Sequence, residues 1–173
     1  IVNLPQPTLF HRSNTPIPFR QCINLYQNAL LSFHVNRFAE VDLRQPSLAS
    51  AVEISLAGLS PGYKIVDVAY LSFGAHFAVL VQQGAIESIM IFDARNKQRV
   101  DWLNTEDVDD VTQITFIPHL NYLMTLKGTL KLIQFFDCGN HFKKVGAINF
   151  STQGIDPSQI KSIFSPFGTS VSF

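Results

Sequence analysis

Tryptophan occurs once in these 173 residues, and cysteine and methionine twice each. Cys22 and Cys138 are too few to build a structural zinc site, and neither sits in a C-x-x-C pair. Pairing with each other stays open, and the first reading is two reduced, buried thiols, which favours an intracellular protein. Charge is scarce as well. Only 15% of residues are charged, and 13 Lys+Arg balance 13 Asp+Glu. That balance excludes an electrostatically driven nucleic-acid binder. No apolar run approaches the roughly 18 residues of a membrane helix. The longest, Ala75 to Val81, is interrupted by His76. The chain begins with Ile1 rather than Met, so it is expected to be a fragment or a processed chain, and its first residues carry no basic-then-apolar signal pattern.

Catalytic signatures are missing too. There is no G-x-S-x-G elbow, and Gly62, Gly74 and Gly84 are too scattered for a phosphate loop. His11, His34, His76, His119 and His141 never fall at metal-ligand spacing. The expectation is a non-enzyme without cofactor or metal. Sustained 3.6-residue periodicity is absent, and the best helical stretch, Pro157 to Ser162, is one turn long.

What is present is phenylalanine, 15 residues of it, within a 46% hydrophobic chain. Aromatic and β-branched richness points to sheet. Pro5, Pro7, Pro16 and Pro18 mark residues 1–18 as an extended arm. Beyond it the strands repeat. Ile65 to Gly74, Val111 to Leu120 and Ile160 to Gly168 share a strand-then-turn form. Tyr70, Phe116 and Phe164 hold the same place in each, with spacings of 46 and 48 residues. A second apolar strand follows, His76 to Val81 and Asn121 to Leu126. A third, Ser88 to Asp93 and Leu132 to Asp137, ends both times in Phe-Asp. A fourth lies near Arg99 to Leu103 and near Phe142 to Ile148. A looser copy occupies Phe19 to Leu56, with Ala29 to Phe33 and Arg37 to Asp42 as its second and third strands.

Four strands every 44–48 residues is the spacing of propeller blades. The fold class expected is therefore all-β, a partial β-propeller of four-stranded antiparallel blades. Its blades fall at about 19–57, 63–104 and 109–150, with the start of another at 159. Inner strands covered on both faces should be continuously apolar, as Phe77 to Val81 is. Outer strands should alternate, placing Val100 and Trp102 on one side and Arg99 and Asp101 on the other. The alternative is a self-contained β-sandwich or jelly roll, a binding or structural shell domain.

The turn Phe164-Ser165-Pro166-Phe167-Gly168, with the aromatic-Asp endings Phe92-Asp93 and Phe136-Asp137, resembles the WD-repeat β-propeller family over residues 19–173. No Gly-His pair precedes any first strand, so the family's buried His/Asp network is not carried over. The resemblance implies a protein–protein interaction scaffold within a larger complex. Its partners would be other protein subunits or the rest of its own chain, with no nucleic acid and no membrane span.

Seven residues are the candidate partner contacts. Arg95 and Lys97 sit in a basic hairpin with Arg99. Glu106, Asp107, Asp109 and Asp110 form an acidic run between two units, read as a solvated loop able to meet a basic surface. The run lacks the glycine of a calcium loop. Trp102 is the seventh, read first as packing against a neighbouring blade and second as a partner anchor. A propeller enzyme would require Asp67, Asp109 or Asp110 to face one pocket.

Overall fold

A computed structural model of the chain describes residues 20–24, 29–34, 37–42, 44, 52–53, 55–56, 62–103, 105–129 and 132–150. The proline-rich arm, the one-turn stretch at 157–162 and the further unit from 159 lie outside these residues. Twelve strands occur among the described residues, in three four-stranded antiparallel sheets. Blade 1 holds β1 (Arg20–Asn24), β2 (Ala29–His34), β3 (Arg37–Asp42) and β4 (Val52–Glu53). Blade 2 holds β5 (Lys64–Leu71), β6 (His76–Gln83), β7 (Ile86–Asp93) and β8 (Arg99–Trp102). Blade 3 holds β9 (Val111–Ile117), β10 (Tyr122–Lys127), β11 (Leu132–Asp137) and β12 (Lys143–Asn149). In each sheet the strands lie in chain order. Separate sheets of this kind exclude the single sandwich.

The apolar runs are continuous because each face of a middle strand belongs to a different core. Phe77, Val79 and Val81 of β6 point into a cluster with Phe38 of blade 1. Ala78 and Leu80 point the other way, into a cluster with Ile114, Leu123 and Phe136 of blade 3. A third cluster joins Met124 and Leu126 to Ile133 and Phe150. The first cluster is centred on stacked rings. Phe77 lies 5.5 Å from Phe38 and 5.4 Å from Phe92, centroid to centroid, and is fully buried.

The repeat extends to irregularities. Val66 of β5 and Thr112 of β9 are both extra residues in their ladders, 46 positions apart. Val100 of β8 and Val145 of β12 are both extra in the outer ladders. The turn hydrogen bonds repeat too. Ala75 donates to the Ser72 carbonyl (3.2 Å) where Asn121 donates to that of Pro118 (3.1 Å). The Asp that ends each third strand has one task in all three blades. Its carboxylate accepts the backbone N–H two residues on: Asp42 from Arg44 (2.9 Å), Asp93 from Arg95 (2.8 Å), Asp137 from Gly139 (2.8 Å). These are Asx turns that open the hairpin to the fourth strand. At the opposite end Gly84 (φ +61°) begins the two-residue β6–β7 turn, a place that favours glycine. That tight turn lets Gln82 and Gln83 extend β6 beyond the apolar run.

Carboxylates also tie blade to blade. The bulge at Val66 shifts the phase of β5, so that Asp67 shares a face with Ala69 and Leu71, towards blade 3. There its Oδ2 accepts the Ile114 N–H at 2.9 Å, while Oδ1 accepts that of Val68 at 3.0 Å. Glu87 Oε2 likewise accepts the Val111 N–H at 3.0 Å.

Two outcomes follow from this packing. Phe92→Ala removes a buried ring from the stack and should cost about 3–5 kcal/mol in denaturant unfolding. Asp67→Ala should cost about 1–3 kcal/mol. It should also speed hydrogen exchange at Ile114, and unchanged exchange there would contradict the blade-to-blade role.

Candidate partner-binding surface

The candidate residues fall at the two ends of blade 2. Arg95 and Lys97 lie in the β7–β8 hairpin, and the acidic run lies beyond the far end of β8. The structure does not bring the two groups together.

At the basic end, Asp93 accepts N–H groups from Asn96 (3.0 Å) and Arg95 (2.8 Å). These bonds hold its carboxyl below the ordinary range. Lys97 adopts a left-handed conformation (φ 62°) and folds back. Its Nζ meets Glu40 Oε2 of blade 1 at 2.6 Å and the Ala94 carbonyl at 2.5 Å, and lies 5.8 Å from the Phe77 ring centroid. Its side chain is only 20% exposed. Lys97 is thus a link between blades rather than a wet hairpin tip. Arg95 remains exposed.

The outer strand departs from the expected alternation. Val100 is a bulge, so Arg99 opposes Phe92 and Trp102 opposes Met90. Arg99 and Trp102 therefore share a face, and the guanidinium stands 5.1 Å from the indole centroid. Arg99, Val100 and Trp102 are exposed and Asp101 is half-buried. Trp102 is 62% exposed and Val100 53%, so the tryptophan does not pack into a neighbouring blade.

The acidic run is not a plain solvated loop. Thr105–Val108 forms a helical turn, α1, which contains Glu106 and Asp107. Val108 anchors it in the core between blades 2 and 3, fully buried. Asp107 pairs with Lys144 at 3.0 Å. Gln134, buried in β11, joins them when its amide donates to the Asp107 carbonyl (2.9 Å) and accepts from Lys144 Nζ (2.7 Å). Asp110 accepts N–H groups from Thr129 on its carboxylate (2.6 Å) and from Gly128 on its carbonyl (2.8 Å). Asp109 is exposed and stands 3.8 Å from the Lys127 amine. The acids therefore bind the linker to blade 3.

An open cleft of about 530 Å³ lies between the β6–β7 hairpin and this linker, lined by Ala85, Ile86, Glu87, Asp109 and Asp110. Of the three aspartates expected of a propeller enzyme, Asp109 and Asp110 line this cleft and Asp67 does not. Among the described residues, no group of three or more His, Cys, Asp or Glu is placed to hold a metal. Cys138 carries a free thiol. Burial first, and the neighbouring Asp137 charge, push it up to about 12, which leaves it protonated and unreactive near neutrality. Among the described residues no helix is long and apolar enough to cross a membrane.

Sequence reasoning missed Glu40, Ile86 and Glu87 as parts of these surfaces, and it placed Arg99 in the basic hairpin without its contact to Trp102.

No family model matches the chain, and no curated protein matches it. Solved structures do. Kuenenia stuttgartiensis hydrazine synthase is 18% identical with a TM-score of 0.57, over 84% of this chain and 39% of that one. A chain of a mitotic checkpoint complex is 12% identical with a TM-score of 0.55, over 74% and 36%. U3-55K is 15% identical with a TM-score of 0.57, over 79% and 41%. The chain spans about two fifths of the length of these solved chains. At such identities the likeness concerns fold alone, and it agrees with the three sheets: the chain is an all-β, partial β-propeller of four-stranded antiparallel blades.

Proposed function

We propose that the chain is a non-catalytic, WD-repeat-like propeller segment that acts as a protein–protein interaction scaffold within a larger assembly. The observation that carries this reading is the exposed, cation-stacked Trp102 on an outer strand. Large aromatic and arginine side chains are the usual anchors of protein interfaces, and here one of each stands together in the open. The carboxylates support the same reading. Asp67, Glu87, Asp93, Asp107 and Asp110 all accept hydrogen bonds that hold the fold. Two of the similar solved chains come from structures titled as a mitotic checkpoint complex and a COPII coat.

The reading includes an extended arm at 1–18, blades at about 19–57, 63–104 and 109–150, and another starting at 159. It includes a site inside the cell, in the cytoplasm or nucleus, with which the free Cys138 thiol agrees. Arg95, Trp102, Glu106 and Asp109 are the partner contacts of this reading. Lys97, Asp107 and Asp110 support them by fixing the hairpin and the linker.

The test is purification of the protein from its own cells under mild conditions. Other protein chains should co-elute in fixed stoichiometry through size exclusion. Elution at the mass of one chain, with nothing bound, would contradict the proposal.

A further inference from the structure

We propose that the outer edge of blade 2 docks an extended, acidic segment of a partner protein that carries one apolar residue. This rests on the scaffold reading and names the chemistry of its partner.

Blade 3 shows that the fold does not require this surface. The ladder position of Arg99, opposite Phe92, corresponds to Lys144 opposite Phe136. The position of Trp102, opposite Met90, corresponds to Ala147 opposite Gln134. The bulge is common to both blades, but only blade 2 puts an indole and a guanidinium beside it. Lys144 is consumed by Asp107. Arg99, in contrast, meets no carboxylate among the described residues. Its contact is the Trp102 ring, whereas the exposed Arg95 lies within the field of Asp93. The nearby acids turn one oxygen to the backbone: Asp93 Oδ1 accepts the N–H groups of Arg95 and Asn96, and Asp101 Oδ1 accepts that of Trp102.

Arg99 thus stands over an exposed apolar strip at Val100 and Trp102, with Arg95 exposed in the hairpin that precedes the strand. The strip lies on an edge strand, since β8 ends its sheet and has no outer neighbour among the described residues. An extended peptide is the shape that lies along such an edge. Carboxylates complement Arg95 and Arg99, which favour bidentate pairing. An apolar side chain covers the indole. The bulge at Val100 interrupts the ladder and so prevents continuous strand addition, which makes side-chain chemistry the larger part of recognition.

The single tryptophan reports on its own site. A short fluorescein-labelled peptide of Glu and Asp with one central Leu is titrated into the 173-residue chain, with Trp102 emission and peptide anisotropy both followed. The expected result is saturable binding with a blue shift of the emission, weakening as salt rises. Arg95→Gln with Arg99→Gln should reduce affinity about tenfold or more, and Trp102→Ala should do the same. Both variants should keep the parent's melting profile. A matching Lys-rich peptide should not bind. Failure of the acidic peptide, equal binding of the Lys-rich one, or full affinity in either variant would overturn the proposal. If native subunits still co-purify while the peptide fails, the strip is excluded and the scaffold reading stands.

Discussion

Everything in this chain depends on covering both faces of a middle strand. A four-stranded sheet with two apolar faces cannot stand in water, and each blade is stabilised by the blades beside it. Strand β6 shows the constraint most clearly. Five successive residues, Phe77 to Val81, are all buried, yet they supply two separate cores in alternation. The bulges, the turns and the linker helix all serve to keep neighbouring sheets in register for that burial.

Polar groups follow the apolar ones. The low charge content leaves few carboxylates, and most of the described ones perform structural work. Those at the ends of third strands form turns, and Asp67 and Glu87 satisfy N–H groups on the next blade's first strand. An N–H left unpaired and buried at such a junction would cost about 1–3 kcal/mol. Net neutrality also conceals segregation. Arg95, Lys97 and Arg99 gather at the hairpin end of blade 2, and Glu106, Asp107, Asp109 and Asp110 at its linker end. The two ends of one blade therefore present different chemistry to a partner.

Much of the fold was legible because propeller blades repeat at both levels. The Phe-Asp endings identified the third strands, and β3 spans Arg37–Asp42 as read from the sequence. Strand β6 ran two residues further than its apolar stretch, since glutamines remain compatible with a strand that a tight Gly84 turn closes. The outer strands were misread for a definite reason. A period-of-two pattern assumes an unbroken ladder, and one extra residue at Val100 moves Arg99 to the face of Trp102. Nothing local in Arg99-Val100-Asp101-Trp102 marks a bulge. The acidic run was misread because its partners, Lys127, Thr129 and Lys144, lie 18 to 37 residues away. Lys97 failed similarly, since Glu40 belongs to another blade.

The central claim is that blades are held by direct coupling of their side chains across the facing sheets. A double-mutant cycle between Phe38 of blade 1 and Phe77 of blade 2, read by equilibrium unfolding, tests it most directly. The account predicts a coupling of about 0.5–1.5 kcal/mol between the stacked rings. Losses that simply add, to within about 0.3 kcal/mol, would contradict it.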